Sequence, residues 1–499
     1  MSQMKGRKGG KVALIIWEIA LIASLIGLAV AKTVELIPSK YWIYGSVFTL
    51  LFLLVTFLLV KAVKSRGVHT FASVLNILLI LCMVGIMIFL PYLKSKVNNI
   101  FTHASTTTEV VNVYAMTGEY KQGHTNIFKD ASSPDQLQDY AGATFITQKM
   151  VDAENTDFAL DQIRQTLGQS PKTMDAENVL TAVKDLYENK GQALVLSENY
   201  STVVSDVDAY KNFAKDTKII ATFNRTVENT STSDEQSALR GDCFSIFIAG
   251  SDTRSGVLST KSRFDVDMVA TVNKKTHQVL ISSLPRDSYI PNPAMGGAKD
   301  KLTHMGIYGV DNSIKAINQW LGSDIKNYSV VNFVTFSKII DALGGVTVDN
   351  PYAFTATNAG GYSFPKGKVT LNGQEALGYV RERHSLPNGD FDRNMHQTII
   401  LKAILSKLVS PEMITRLPAV MDSLKGAFLT DADMNSLYQL ASTGSGWEFI
   451  TARVTGSTGS AVTASMPGQK LSVVFPKESE RAAVADKIQK MMKNERITS

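Results

Sequence analysis

Three long apolar runs in the first hundred residues constrain this chain more than any other feature. Val12–Ala31 is interrupted only by Glu18, Trp42–Val60 carries no charge, and Phe71–Leu93 holds Asn76 as its strongly polar residue. Each is about 20 residues, enough to cross a hydrocarbon core of roughly 30 Å as a helix. A cleaved signal peptide would be shorter, and two further spans would not follow it.

Basic residues set the expected direction of these spans. Lys5, Arg7, Lys8 and Lys11 precede the first run, and Lys61, Lys64 and Arg66 separate the second from the third. The first connection has Lys32 and Lys40, offset by Glu35. The N-terminus and the second connection are therefore expected in the cytoplasm, and everything after about Leu93 outside, in a multi-pass protein of the cell membrane. Tyr41, Trp42 and Tyr92 fall where interfacial aromatics belong. ATP is scarce outside a cell, so substrates there must be exported or carried on a lipid.

A chain of 499 residues is expected to form two or three domains. The organisation read here is a cytoplasmic tail with three transmembrane helices over residues 1–97, an extracytoplasmic accessory domain over 98–236, and a larger domain over 237–499. The balance of 51 Lys+Arg against 45 Asp+Glu leaves +6, too little to argue for nucleic acid. The expected cytoplasmic parts, a tail of about 11 residues and a loop of about ten, are also too short for a folded DNA reader. Cys82 and Cys243 are separated by membrane depth, so no disulfide is expected. No zinc-type Cys/His spacing and no Gly-x-x-x-x-Gly-Lys loop occurs.

In the middle segment, Val110–Val113, Ala193–Leu196 and Lys218–Phe223 read as strands, and the polar stretches Ser105–Glu109 and Thr226–Gln236 read as linkers. The reading is a small α/β domain without a catalytic constellation. Beyond it, apolar strands at Cys243–Ala249, Met268–Val272 and Val279–Ser283 have polar groups crowded at their ends. Active sites are usually built at such strand ends. Strands alternate with helical patterns, so the class is α/β with a mixed central sheet flanked by helices. The helices Phe336–Leu343 and Met395–Val409 are apolar enough to wall a lipid groove or to serve as plain core.

The stretch Tyr379–Gln397 gathers Arg381, Arg383, Asp390, Asp392, Arg393 and Gln397. On a strand, Arg381 and Arg383 would share a face, and two parallel guanidinium forks suit a phosphate or pyrophosphate. The bland alternative is a solvated loop with surface ion pairs. Asp252, Asp265 and Asp267 are hard oxygen donors suited to Mg²⁺ (or Mn²⁺) together with phosphate oxygens. Arg263, Arg286, Arg381 and Arg383 could hold the two phosphates of a diphosphate and stabilise charge in phosphoryl transfer. Either Asp390 or Asp392 could act as base toward a sugar hydroxyl.

Four ordered blocks give these residues a context: Gly250-Ser251-Asp252-Thr253-Arg254, Arg263-Phe264-Asp265, Ser283-Leu284-Pro285-Arg286-Asp287-Ser288, and Tyr379-Val380-Arg381-Glu382-Arg383 followed by Asp390-Phe391-Asp392-Arg393 and Gln397. Together they resemble the LytR–CpsA–Psr family, and the three spans with an accessory domain further resemble its streptococcal capsule-type, CpsA-like members. The resemblance implies a membrane-anchored phosphotransferase that moves a glycopolymer, here capsular polysaccharide, from polyprenyl diphosphate to peptidoglycan through a phosphodiester. It implies Mg²⁺ at Asp252 and Asp265, diphosphate at Arg263, Arg286, Arg381 and Arg383, a further head-group contact at Lys301, and active-site roles for Asp390 and Gln397. It also implies a polyprenyl tunnel between sheet and helices, and partners among other capsule-assembly membrane proteins. Phe264 departs from the small polar residue usual at its position, which bears on local pocket shape. Two other activities belong to the alternatives: a transcriptional regulator or attenuator of capsule synthesis, and a polyprenyl-diphosphate-glycan diphosphatase. No direct nucleic-acid contact is expected.

Overall fold

The computed structural model describes residues 2–34, 39–63, 65–101, 106–117, 137–228, 241–251, 253, 256–357, 360–408, 410, 420, 427–432 and 446–498. Asp252, Arg254 and Val409 lie outside the described residues, as do residues 229–236 of the expected second linker.

One compact unit contains helices α1 (Ser2–Val34), α2 (Ser39–Ala62) and α3 (Arg66–Phe101). Within them Gly10–Val34, Tyr41–Ala62 and Arg66–Ser95 are long and apolar enough to cross a membrane. Leu25, Phe48, Leu81 and Ile88 are exposed, as lipid-facing side chains would be. Three polar side chains find partners inside the bundle, where hydrocarbon would offer none. Trp17 Nε1 donates to the Leu53 carbonyl at 2.8 Å, Trp42 Nε1 to that of Leu28 at 2.9 Å, and Thr56 Oγ1 to Asn76 Oδ1 at 3.2 Å.

The second unit is built on two sheets. The first contains β1 (Thr106–Met116), β2 (Thr144–Thr147), β3 (Lys172–Asp175), β4 (Ala193–Ser197) and β5 (Thr217–Glu228) in the order β3-β2-β4-β1-β5. Helices α4 (Lys149–Leu167), α5 (Val179–Tyr187), α6 (Glu198–Val204) and the short α7 (Phe213–Asp216) accompany it. Two expectations need correction. Thr106–Glu109 and Thr226–Glu228 are strand, paired with each other from Thr106↔Glu228 to Glu109↔Arg225. Their polar residues alternate along a strand edge that is buried on the β1 side only.

The second sheet is the scaffold of the site. Strands β6 (Cys243–Ser251), β7 (Phe264–Asn273) and β8 (Gln278–Leu284) form an antiparallel meander, followed in sequence by the short pair β9 (Tyr289–Pro291) and β10 (Lys299–Lys301). Helices α8 (Leu302–Met305) and α9 (Val310–Leu321) lead to β11 (Asn327–Asn332), which runs parallel to β6. Helix α10 (Phe333–Ala342), the small pairs β12 (Val346–Asn350) with β15 (Gly367–Leu371) and β13 (Phe354–Thr355) with β14 (Ser363–Phe364), and helices α11 (Gly373–Arg381) and α12 (Asp390–Leu408) follow. Strands β16 (Leu429–Thr430) and β17 (Glu448–Arg453) complete a mixed sheet in the order β16-β11-β6-β7-β8-β17. The hairpin of β18 (Gly456–Thr463) and β19 (Met466–Pro476) and helix α13 (Glu478–Met492) end the chain.

One face of this sheet, carrying Phe247, Val269, Leu280, Tyr328 and Ile450, is buried with Ile314, Ile317 and Leu321 of α9 and Val484, Ile488 and Met491 of α13. By strand alternation the other face carries Ile246, Ile248, Met268, Ala270 and Ile281. Phe264 is fully buried in the first of these cores, edge-on to Phe247 at 6.1 Å. It therefore packs into the core between Arg263 and Asp265.

The two sheets share apolar packing. Tyr200, Val203 and Val204 of α6 are buried together with Ile307, Met466 and Leu471. Asn199 Nδ2 donates to the Ile307 carbonyl at 3.1 Å, and Lys261 pairs with the buried Glu109 at 3.0 Å. Beside this junction Gly306 makes room for a close approach: a Cβ there would lie 2.2 Å from the Ser262 carbonyl oxygen, so only glycine lets α8 close against the start of β7.

Candidate functional site

The polar residues converge at one edge of the mixed sheet, where β6 and β8 end, β7 begins and β11 delivers the chain to α10. Arg263 immediately precedes β7, Arg286 follows β8 by two residues, and Lys301 closes β10. Their charged groups alternate with carboxylates in a closed ring. Lys301 Nζ lies 3.2 Å from Asp206 and 3.0 Å from Asp287. Arg263 lies 2.8 Å from Asp206 and 3.2 Å from Asp265. Arg286 lies 2.7 Å from Asp265 and 3.6 Å from Asp287. Asp390, at the start of α12, branches from Arg286 at 3.9 Å and holds Arg393 at 2.7 Å.

These are not surface pairs: the side chains of the ring are between 7% and 20% exposed. Burial alone would push the carboxyls up, yet the guanidinium groups of Arg286 and Arg263 outweigh it at Asp265 and hold that group below its usual range. Arg263, His304 and Lys301 do the same at Asp206, and Arg286 with Lys301 at Asp287. Arg286, facing Asp265, Asp287 and Asp390, is pushed well above its usual value despite burial. Arg393 is lowered, first by burial and then by Arg286. His304 is fully buried between Asp300 Oδ1, 2.9 Å from Nδ1, and Asp206 Oδ2, 3.4 Å from Nε2. Those two carboxylates overcome burial and raise the imidazole.

Sequence reasoning named Arg263, Asp265, Arg286, Lys301 and Asp390, and the structure brings these together. It gave no role to Asp206, Asp287, Asp300, His304 or Arg393. Arg393 sits three residues after Asp390, a helical spacing that could have revealed it. Asp206 left no such signal, because it lies in the segment read as having no catalytic constellation.

Asp267 does not join the ring. It pairs across the sheet with Ala249 and Leu284, on the core side, whereas Asp265 is the residue skipped where the register shifts at Gly250/Ser251. That extra residue breaks the two-residue alternation that would have put both aspartates on one face. Both Asp267 oxygens are buried without a hydrogen-bond partner among the described residues, and burial followed by the Asp265 charge pushes its carboxyl well above the usual range. Among the described residues no group of three His, Cys, Asp or Glu side chains is placed to hold a metal.

The arginine segment is not a strand. Asn372 and Glu375 form a capping box that starts α11, and Arg381 is its last residue. Glu382 is fully buried, and its carboxylate accepts from the Thr357 backbone and hydroxyl and from the backbone N–H groups of Arg383, His384 and Ser385. Arg381 and Arg383, on either side of it, are exposed. Arg381 lies over the Phe333 ring, 4.3 Å from its centroid, at the start of α10. Arg383 Nε faces His384 Nε2 at 3.3 Å. Among the described residues no carboxylate is paired with either arginine.

Gln397 and Asp392 support this segment. Gln397 Nε2 donates to the Val380 carbonyl at 3.4 Å, just before Arg381. Asp392 is buried and accepts from the backbone N–H of Asn388 at 2.9 Å and from its side-chain amide. It holds its own loop, which leaves Asp390 as the carboxylate of the two that faces the ring. His396 is buried against Tyr379 and Phe354, with centroid distances of 4.3 and 4.8 Å. Its Nδ1 faces the Tyr379 carbonyl at 3.3 Å, its Nε2 has no partner among the described residues, and burial lowers the imidazole to about 4.

This lowering predicts an acid sensitivity. Between about pH 6.5 and 4 the unfolded chain takes up a proton at His396 that the folded chain refuses, so stability falls as pH falls, by about 3 kcal/mol in all. Denaturant titrations of the full chain across that range should show the loss, and His396→Phe should remove that part of it.

Beyond the ring, α12 carries Ile399, Leu401, Ala403, Ile404 and Leu405 only half-buried.

Comparison with known proteins agrees with the ordered blocks. The model of the LytR_cpsA_psr family matches residues 200–476, more than half of the chain. The Oceanobacillus iheyensis polyisoprenyl-teichoic acid–peptidoglycan teichoic acid transferase TagU is 34% identical over 206 residues, 40% of this chain and 62% of that protein. The Bacillus subtilis TagU transferase is 30% identical over 237 residues, 47% of this chain and 75% of that protein. The chain thus spans somewhat under two thirds of the first relative and three quarters of the second. The crystal structure of B. subtilis TagV is 25% identical, with a TM-score of 0.43 over 50% of this chain and 98% of that one. By the extent of the family match, and by its likeness to the B. subtilis transferase, the chain belongs to the LytR–CpsA–Psr family.

Proposed function

We propose that this protein is a membrane-anchored phosphotransferase that takes a glycopolymer from its polyprenyl-diphosphate carrier and joins it to peptidoglycan through a phosphodiester. One observation carries the reading. The buried ring balances its own charge, while Arg381 and Arg383 stand exposed near the same sheet edge, without carboxylate partners among the described residues. A diphosphate substituted at both ends carries two negative charges, which two unpaired guanidinium groups match and which their forks suit in shape. The half-buried apolar row of α12 and the apolar sheet face would line the polyprenyl chain.

In the transfer, the hydroxyl oxygen of the acceptor sugar attacks the phosphorus that bears the glycan. The bond to the bridging oxygen breaks, and polyprenyl monophosphate leaves. Asp390 is the carboxylate proposed to take the hydroxyl proton. Arg263, Arg286 and Lys301 face the charge that gathers on the phosphoryl oxygens. The residues fit a divalent cation of the Mg²⁺ or Mn²⁺ type: Arg263 and Arg286 both take Oδ1 of Asp265, which among the described residues leaves Oδ2 of that buried carboxylate for a hard cation. Asp265 with Asp252 would hold it, and when bound it would neutralise phosphate charge.

The N-terminus is proposed cytoplasmic and the second unit extracytoplasmic, on the basic residues flanking the spans. The glycopolymer is proposed to be capsular polysaccharide. Its support is the part of the chain before residue 200, outside the family match, where the three spans and most of the first sheet lie. Other capsule-assembly membrane proteins are proposed as partners on the same ground.

The test uses the full chain in detergent with a short polyprenyl-diphosphate oligosaccharide, Mg²⁺ and peptidoglycan fragments, and identifies products by mass spectrometry. A phosphodiester conjugate with polyprenyl monophosphate is expected. Free sugar phosphate in its place, with acceptor present, would make the protein a diphosphatase. In the same assay Arg381→Ala and Arg383→Ala should each weaken binding of the lipid diphosphate about tenfold or more. Being exposed, they should leave the melting temperature nearly unchanged.

A further inference from the structure

The first sheet supplies none of the arginines or lysines of the site, yet its connections send one carboxylate, Asp206, into the ring. Asp206 lies in the turn directly after α6, between Val204 and Val207, both buried. Its Oδ1 accepts from Arg263 Nη1 at 2.8 Å, and its Oδ2 faces Lys301 Nζ at 3.2 Å and His304 Nε2 at 3.4 Å. The same helix gives Arg263 a second acceptor, the Thr202 carbonyl, 3.0 Å from Nη1. Nothing else in the ring comes from outside the mixed sheet and the connections that follow its strands.

We propose that Asp206 is a positioning residue of the phosphate clamp, so that the first sheet is part of the active site and not a separate binding module. This rests on the transferase reading for its kinetic consequences, though not for its geometry. Without Asp206, Arg263 keeps Asp265 and the Thr202 carbonyl but loses a carboxylate, and Lys301 keeps Asp287 alone of its two carboxylates, so both cations remain but are less firmly oriented, Lys301 most of all. His304 resists such drift on the other side. Asp300, fully buried, holds it, and Asp300 is itself held by Asn292 Nδ2 at 3.1 Å and by Ser465 Oγ at 3.0 Å. The fixed side of the clamp is therefore His304–Asp300, and Asp206 transmits that fixity to Arg263 and Lys301. The junction that carries Asp206 is itself apolar and closed, with Tyr200, Val203 and Val204 against Ile307, Met466 and Leu471.

Two opposing effects follow from removing this carboxylate, and they fall on different kinetic constants. Losing a negative charge near the phosphates favours ground-state binding. Losing the orientation of two cations penalises the transition state, where alignment counts most. Asp206→Asn should therefore lower kcat about 10–100-fold while KM for the lipid diphosphate changes little or falls.

The experiment compares wild type, Asp206→Asn and Asn199→Ala in the full chain. Asn199→Ala removes a hydrogen bond of the same junction, to the Ile307 carbonyl, without touching the ring. Two measurements are made: steady-state kinetics, and the rate of Lys301 acetylation by an amine-reactive ester, read by mass spectrometry. The proposal expects Lys301, only 5% exposed, to react several-fold faster in Asp206→Asn and at the wild-type rate in Asn199→Ala. It also expects the kcat loss in Asp206→Asn alone. Unchanged Lys301 labelling in Asp206→Asn would overturn it, and so would an unchanged kcat or an equal kcat loss in Asn199→Ala. A wild type that binds lipid diphosphate but never turns it over would defeat the transferase reading, and Lys301 labelling would still decide the role of Asp206.

Discussion

Arg286→Ala is expected to lower turnover at least a thousandfold and to destabilise the protein by about 3 kcal/mol. Arg286 faces three carboxylates, Asp265 at 2.7 Å, Asp287 at 3.6 Å and Asp390 at 3.9 Å, and it is nine-tenths buried. Removing one partner of a buried ion pair costs about 3–5 kcal/mol, because the remaining charge stays desolvated. The lower end applies here, since each carboxylate keeps another cation: Arg263 for Asp265, Lys301 for Asp287 and Arg393 for Asp390. Arg286→Lys should recover part of the stability and little of the turnover, because an ammonium restores the charge but not the fork that spans several carboxylates. The contrast with Arg383→Ala is diagnostic. Two arginines from the same set of sequence blocks should differ by several degrees in melting temperature, one buried within a network and one exposed. An Arg286→Ala protein that melts like wild type would show that the ring is not closed in solution.

How much of this was legible beforehand depended on whether local pattern or long-range contact decides each feature. The three spans were legible because twenty apolar residues in a row have few other uses, and the described helices contain all three runs. Arg263, Asp265 and Arg286 were legible as a group because they sit at the ends of adjacent apolar strands, which topology must bring to one edge. The shared face that a strand would give Arg381 and Arg383 does not arise, because a capping box, Asn372 to Glu375, starts a helix that runs to Arg381. The strand β18 was missed because Gly-Ser-Thr-Gly-Ser has no apolar signal; it exists by pairing with β19 from Gly456↔Pro476 onward. Thr226–Glu228 was mistaken for linker although its alternation continues that of β5. Asp206 and the register shift at Asp265 could not have been read at all. The first is defined by contacts to residues 57 and 95 positions away, and the second by a single unpaired residue in a strand.

Asp265→Asn is expected to abolish turnover and, with it, any dependence on the proposed divalent cation. The substitution keeps shape and removes one charge, so its effects are electrostatic. Arg263 and Arg286 converge on the same oxygen, Oδ1, at 3.2 and 2.7 Å. With an amide there, two buried guanidinium groups face each other with no anion between them, and the ring carries one net positive charge. A stability loss of about 2–4 kcal/mol follows. The direction of the remaining change separates the two roles assigned to this residue. If Asp265 served only to space the arginines, the surplus positive charge would make the Asp265→Asn variant bind lipid diphosphate more tightly while turnover survived in part, still responsive to Mg²⁺. If it also holds the cation, turnover and the response to Mg²⁺ disappear together, while binding of the lipid diphosphate persists on Arg381, Arg383 and the freed arginines. Measuring lipid-diphosphate affinity and Mg²⁺-dependent turnover on the same preparation decides it. Retained, Mg²⁺-responsive turnover would remove Asp265 from the metal site and leave it as the anion that keeps two arginines in place.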